Sequence, residues 1–246
     1  MLASVLPWQD VYLIAAVMIA LLGVVLIKKL PRDPVTTHTT TYKAMIKTVP
    51  QLVKQYPVLR AAAVNGFVLF GVSNIFWATL VFYLQHQYGW GSREAGLLAL
   101  LGVTGVLAAP LIGRLADRFR PRTIIGLGLV LSTVAYVVFI LFGTRVTGLI
   151  VGIVILDLGT QFGQVANQTQ IQNIASNASS RFNSVFMFGY FMGGALGSFF
   201  GNLLWDVAGW YGVCGLGFVV LVIGFYAHFI HYPHVIAKNK NRTQTN

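Results

Sequence analysis

AGLLALLGVTGVLAAPLIGRLADRFRPRTIIGLGLVLSTVAYVVFILF (residues 95–142) decides how the rest of the chain is read. Two apolar stretches, Ala95–Ile112 and Thr123–Phe142, flank a run holding Arg114, Asp117, Arg118, Arg120 and Arg122. Each stretch is near the roughly 20 residues that cross a bilayer as a helix. Neither alternates apolar and polar residues, as a strand of a membrane barrel does. The segment reads as two membrane spans joined by a short basic turn.

Five more apolar stretches lie outward of this hairpin: Val11–Ile27, Leu59–Leu84, Thr147–Gln168, Phe182–Leu204 and Trp210–His231. The composition agrees. Of 246 residues, 56% are hydrophobic and 9% charged, whereas soluble domains carry about 25% charged residues. That balance excludes an ordinary soluble domain and intrinsic disorder. The single cysteine, Cys214, leaves no internal disulfide and no multi-cysteine metal site. The first stretch does not read as a signal peptide, because residues 1–10 lack basic residues and Lys28 and Lys29 follow the apolar run instead. The expected fold is all-α: a polytopic membrane helix bundle of about seven transmembrane helices.

Charge sets the expected orientation. Lysines and arginines number 17 against 6 acidic residues, a net charge of +11. Of these 17, 15 fall on one side of the expected topology: in residues 28–60, in the turn 113–122, at Arg181 and in the tail at Lys238, Lys240 and Arg242. The other side receives Arg93 and Arg145. Basic loops face the cytoplasm, so the C-terminus is expected inside and the N-terminus outside. Trp8, Tyr88, Trp90, Trp205, Trp210 and Tyr211 gather at the expected outer ends, as an interfacial belt does. The basic excess is thus a topology signal, and no nucleic-acid partner is expected.

Residues 31–58 are polar, with a threonine-rich piece after Pro31 and Pro34. Beyond it, Met45, Ile46, Val49, Leu52, Val53 and Tyr56 share one helical face, and Lys43, Lys47 and Lys54 the opposite one. That pattern fits an amphipathic helix on the cytoplasmic membrane surface, interrupted or restarted at Pro50. A solvated linker is the other reading.

The joining turn is Gly113-Arg114-Leu115-Ala116-Asp117-Arg118-Phe119-Arg120-Pro121-Arg122. A glycine lets two helix ends approach closely. An aspartate can accept bonds from helix N-terminal amides or pair with arginine. The run can therefore latch helices in one arrangement, or it can be a topogenic basic loop and nothing more. It resembles the signature loop of the major facilitator superfamily: Gly113, Leu115, Asp117 and Arg118 match, and Arg122 restores a basic position. Arg120 and Pro121 depart from the pattern.

The resemblance implies a transporter fold of twelve spans in two halves, with this loop acting as a conformational gate rather than touching substrate. It implies that residues 1–30 are the last helix of an N-terminal half and 31–58 the cytoplasmic linker. Residues 59–232 would be the six-helix C-terminal bundle, and 233–246 a basic cytoplasmic tail. The chain would then be an MFS-like half-fold plus one helix, a truncated form whose N-terminal half is missing. Asp157-Leu158-Gly159 and Asn167-Gln168-Thr169 also resemble the drug and sugar efflux branch of bacterial members.

Asp157 is the one acidic residue inside a span, about midway across. An ionisable group there is a functional-site candidate by default. Gln161, Gln164, Gln168 and Gln172 follow it along one helical face. Such a stripe faces protein or water rather than lipid. It is either the wall of a substrate or proton path, or a set of interhelical hydrogen bonds. Asn74 lies one turn from Trp77, and the pair can present an amide and an aromatic ring to a cavity or simply pack. Gly189, Gly193, Gly197 and Gly201 repeat every four residues, a ridge for close helix packing. His228, His231 and His234 are spaced so that they drift around a helix, and they read as residues of the cytoplasmic interface; no metal site is expected.

No catalytic constellation appears, so no enzyme and no cofactor are expected. The reading is a secondary transporter in the bacterial inner membrane. The resemblance to the efflux branch implies that it would move a small organic compound outward, coupled to protons. The alternative is a non-transporting fragment, inactive without a partner half.

Overall fold

A computed structural model describes residues 8–29, 50–174 and 179–242. Side chains of Trp8, Val11, Ile174, Ser179 and residues 231–242 lie outside the described set. So do the threonine-rich piece, most of the expected amphipathic helix, and the side chains of His231 and His234. The described chain runs as α1 (Trp8–Lys29), α2 (Pro57–Tyr88), α3 (Ser92–Ala99), a 3-10 turn (Leu100–Gly102), α4 (Val103–Arg118), α5 (Pro121–Phe142), α6 (Val146–Ile174) and α7 (Ser179–Arg242). The described residues contain no strand. In a bilayer only helices satisfy their backbone within one segment, and these apolar runs follow that rule.

Among the described residues, six helical stretches are long and apolar enough to cross a membrane. The last, Ser180–Ile230, has 51 residues, about 77 Å of helix against a hydrocarbon core of about 30 Å. Gly209, at φ 59° and ψ −151°, breaks it. A positive φ is open to glycine without strain, so α7 turns back there and makes two crossings. The chain is an all-α polytopic bundle.

Prolines and glycines place the boundaries. Pro57 and Pro121 open α2 and α5, where the missing N–H is no loss. Gly89, at φ 67°, closes α2 with its N–H on the Gln85 carbonyl, a left-handed cap. Glu94 caps α3 by accepting the Gly91 N–H at 2.9 Å. Residues 50–55 are helical, and Leu52 and Tyr56 pack with Leu59, Ile171, Phe182 and Phe186.

The basic run differs from expectation. It is not a ten-residue turn: α4 continues through Arg118, and only Phe119 and Arg120 are non-helical. Arg120 is extended (φ −62°, ψ 131°) because a residue before proline avoids the helical region. Gly113 is helical, and a Cβ there would meet nothing within 4 Å. Among the described residues no helix end approaches Gly113 closely.

Helix α2 is the centre of the bundle. Val68, Val72, Phe76 and Leu80 join Leu129, Tyr136 and Phe139 of α5, Leu149, Ile153 and Leu156 of α6, and Leu221 of α7. Tyr136 is buried, and its hydroxyl donates to the Val72 carbonyl at 2.9 Å. Its ring occupies the space that a Cβ at Gly217 would need. One tyrosine thus ties α5 to α2 and to the second half of α7.

Small residues let the backbones meet. A Cβ on Gly189 or Gly201 would lie 3.1 Å from the carbonyl of Ala63 or Ile75. On Gly193 or Gly197 it would collide with the carbonyl of Phe67 or Gly71. The register advances by four on both helices, so α2 and the first half of α7 run parallel. A second seam joins α5 to α6: a Cβ at Gly128 would lie 2.7 Å from the Gly159 carbonyl, and one at Gly159 2.7 Å from Ser132 Oγ. Van der Waals contact of this kind associates helices in lipid, where apolar burial gives little driving force.

Helix α1 stands apart. None of its apolar window is buried, and Tyr12 and Ile27 are 72% and 83% exposed.

Candidate functional site

Helix α6 carries Asp157 into the bundle against α2 and the turn between α3 and α4. Asp157 is partly buried. Its Oδ1 accepts a hydrogen bond from Trp77 Nε1 of α2 at 3.3 Å, longer than the usual range for such a bond. Its Oδ2 is buried with no hydrogen-bond partner. Buried polar atoms are rarely left so.

The third wall is backbone. A Cβ at Gly102 would lie 3.2 Å from Asp157 Oδ2, and one at Gly105 3.1 Å from Gln161 Cγ. Gly102 ends the 3-10 turn that interrupts this span. A 3-10 stretch within a helix often marks a hinge. Gly102 and Gly105 have no counterpart in the sequence reading, although two glycines three apart inside an apolar span were the available signal.

The remaining candidates divide. Gln164 Oε1 accepts a bond from the Tyr190 hydroxyl of α7 at 3.0 Å. Tyr190 stacks on Phe70 of α2 with ring centroids 3.9 Å apart. Tyr190 was not foreseen, because a lone tyrosine in an apolar span gives no pattern. Asn74 does not join Trp77 in one surface. Its Nδ2 donates to the Phe70 carbonyl of its own helix at 2.9 Å and lies toward Gly194 of α7. Gln161 and Gln168 are partly exposed, and Gln172 is exposed. The stripe thus runs as a partly exposed polar band, while neighbouring exposed positions such as Val103, Val106, Leu107 and Val151 are apolar.

In the basic run, Leu115 packs with Ala61, Ala116, Ile124, Ile125 and Ala166. Asp117 and Arg118 are exposed, and Arg122 is partly buried. The run therefore lies at the end of α4 and the start of α5, away from Asp157. His228 lies at the same end as the basic run, as its place near the end of the span implied, but turned inward: it is 4% exposed, with Nε2 beside Gly126 of α5. Its position on the inner face of α7 decides that, and helical spacing alone did not reveal which face was inner.

Comparison with known proteins agrees with this arrangement. The model of the Major Facilitator Superfamily matches residues 62–245. The chain is 31% identical over 224 residues to the "Uncharacterized transporter YgaY" of Escherichia coli O157:H7, covering 91% of this chain and 57% of that protein. It is 29% identical over 222 residues to the "Probable transporter SCO4007" of Streptomyces coelicolor, covering 89% of this chain and 51% of that protein. A shorter match, 30% over 120 residues, covers 47% of this chain and 24% of the "Multidrug efflux pump LfrA" of Mycolicibacterium smegmatis. The chain thus spans a little over half the length of the first two relatives. The six crossings after α1, their glycine seams and the family match lead to one conclusion: this chain belongs to the Major Facilitator Superfamily.

Proposed function

We propose that the bundle forms one wall of a proton-coupled pathway that exports a small organic compound. The observation that carries this reading is Asp157: a carboxylate in mid-span with one long bond to Trp77 and one buried oxygen without a partner. Such a group has a use for a proton or a ligand, since an uncompensated charge there is costly. Gln161 and Gln164 extend the polar wall. The run Gly113, Leu115, Asp117, Arg118 and Arg122 acts at a distance as the gate. Its exposed charges at the α4–α5 junction are free to change partners as bundles rock.

The polar band lies on the bundle's own surface, and a pathway needs an opposite wall. That wall would be a second bundle, an N-terminal half joined to this one through the linker region 31–58. Export rather than uptake rests on the efflux-type resemblance and on the relative named as an efflux pump. The distribution of basic residues supports an inner-membrane protein with its C-terminus in the cytoplasm.

The test is flux in proteoliposomes under an imposed pH gradient, read with a panel of hydrophobic organic dyes. The chain is assayed alone and fused behind the first half of the Escherichia coli relative. The two-bundle form is expected to move dye, and Asp157→Asn to reduce that flux by about tenfold or more. Equal flux in Asp157→Asn sinks the role of Asp157. Gradient-driven flux from the chain alone sinks the need for a second wall and with it the inert-fragment alternative.

A further inference from the structure

At the end of the bundle opposite the basic run, the C-terminal turn of α2, the α5–α6 connection and the break at Gly209 enclose an open pocket of about 460 Å³. That volume is within the range of small-molecule sites. Tyr83, His86, Thr144, Trp205, Trp210 and Tyr211 form its walls. Along α2 the pocket's Tyr83 stands about 9 Å of helix beyond Trp77 of the polar band, and the pocket residues play no part in the pathway proposed above.

Its walls are rings set at steep angles. Trp205 stands at 89° to Tyr83, with centroids 6.4 Å apart, and at 81° to His86, 6.2 Å apart. Trp210 stacks on Tyr83 at 3.8 Å, which braces that side. Trp210 is itself fixed, because its Nε1 donates to the Phe139 carbonyl at 3.3 Å. Tyr88 closes the same end by donating to the Gly143 carbonyl at 3.0 Å. Trp210, Tyr83 and Tyr88 are thus held in place before any ligand arrives.

Perpendicular rings cannot sandwich a flat ligand on both faces. They suit a rounded group that meets several ring faces at different angles. Aromatic faces attract cations, and ring cages are the usual device for quaternary ammonium groups. Neither lysine nor arginine lines the pocket. The exposed Asp206 follows Trp205 in the chain and the exposed Arg145 follows Thr144, so the charges next in sequence to the pocket are of both signs.

We propose that this aromatic pocket binds a quaternary ammonium group. The group can belong to a free organic cation or to a choline lipid headgroup, since tryptophan and tyrosine, which line the pocket, are the residue types of a membrane interface. The site is peripheral to the Asp157 band and independent of whether that band conducts protons.

The experiment measures radiolabelled choline binding by scintillation proximity, with the full chain in phosphatidylglycerol nanodiscs. Saturable binding is expected. The uncharged isostere 3,3-dimethylbutan-1-ol should compete at least about tenfold more weakly than unlabelled choline. Tyr211 is 68% exposed, so Tyr211→Ala keeps the fold, and it should weaken binding several-fold. Trp205→Ala should weaken it about tenfold and Trp205→Phe far less, because a ring face is what the cation meets.

Asp157→Asn should leave choline binding as it was. In phosphatidylcholine nanodiscs, loss of free-choline binding identifies the headgroup as occupant, and retention identifies the free cation; either supports the site. No saturable binding, equal competition by the isostere, indifference to both Tyr211→Ala and Trp205→Ala, or loss in Asp157→Asn overturns it.

Discussion

Helix α2 presents two seams that differ in kind. Toward α7, four glycines lie on four carbonyls, and the backbones touch with no side chain between them. Toward α6, the apolar packing on Leu149, Ile153 and Leu156 is joined at Asp157 by a single side-chain bond, 3.3 Å from Trp77, that leaves an oxygen unsatisfied. The first seam has a single good arrangement, because backbone cannot move aside for a side chain. At Asp157 the second has few polar interactions to lose and groups able to take new partners. In a protein that rearranges, the glycine seam makes α2 and α7 one rigid body, and the polar seam is where change is easiest.

The largest expected effect breaks the rigid seam. Gly193→Leu places a side chain against the Phe67 carbonyl and should destabilise by about 3 kcal/mol or more. The folded, monodisperse peak in detergent should be lost. Gly113→Leu, with nothing within 4 Å of its Cβ, should change melting temperature little. Similar losses for both would mean that any glycine in this bundle is intolerant, and the contrast between seams would fail.

Next comes the polar seam. Trp77→Phe removes the one donor to Asp157 and keeps a ring in place. It should change stability by about 1 kcal/mol or less, yet alter how gradient-driven flux in the two-bundle form depends on pH. A flux profile superimposable on that of the wild type would make Trp77 a packing residue only. The smallest effect belongs to Tyr190→Phe. It removes the hydroxyl that Gln164 accepts, and interhelical bonds of this type average about 0.6 kcal/mol in lipid. Thermal unfolding should shift by a degree or two. A shift as large as that of Gly193→Leu would place Tyr190 in the rigid seam.

Much of the site was legible because membranes exaggerate certain signals. Asp157 stood out as a charge within a span. The glycine ridge stood out by its four-residue repeat. Partners were harder to see. Trp77 appeared paired with Asn74 by spacing along one helix, but neighbouring side chains can serve different helices: Trp77 reaches α6 and Asn74 lies toward α7. Gly159 and Gly163 are also four apart, and their seam with Gly128 was readable but not read. The basic run looked like a loop because it is polar, yet polarity at a membrane surface does not end a helix. Pro121 ends it, through the restricted residue before it.

By itself the sequence determined that this chain crosses a membrane as helices, roughly how many times, and which segments carry charge. Those follow from length, hydropathy and the need to satisfy the backbone within each span. Its signature run was enough to suggest the superfamily. Only the tertiary structure decided which face of each span turns inward. An apolar helix is apolar from every side, and α1 and α2 have similar mean hydropathies of 2.2 and 1.9, yet none of the α1 window is buried and 61% of the α2 window is. Which faces meet depends on where small residues on two helices coincide, and that coincidence is a property of the packed bundle rather than of any one span.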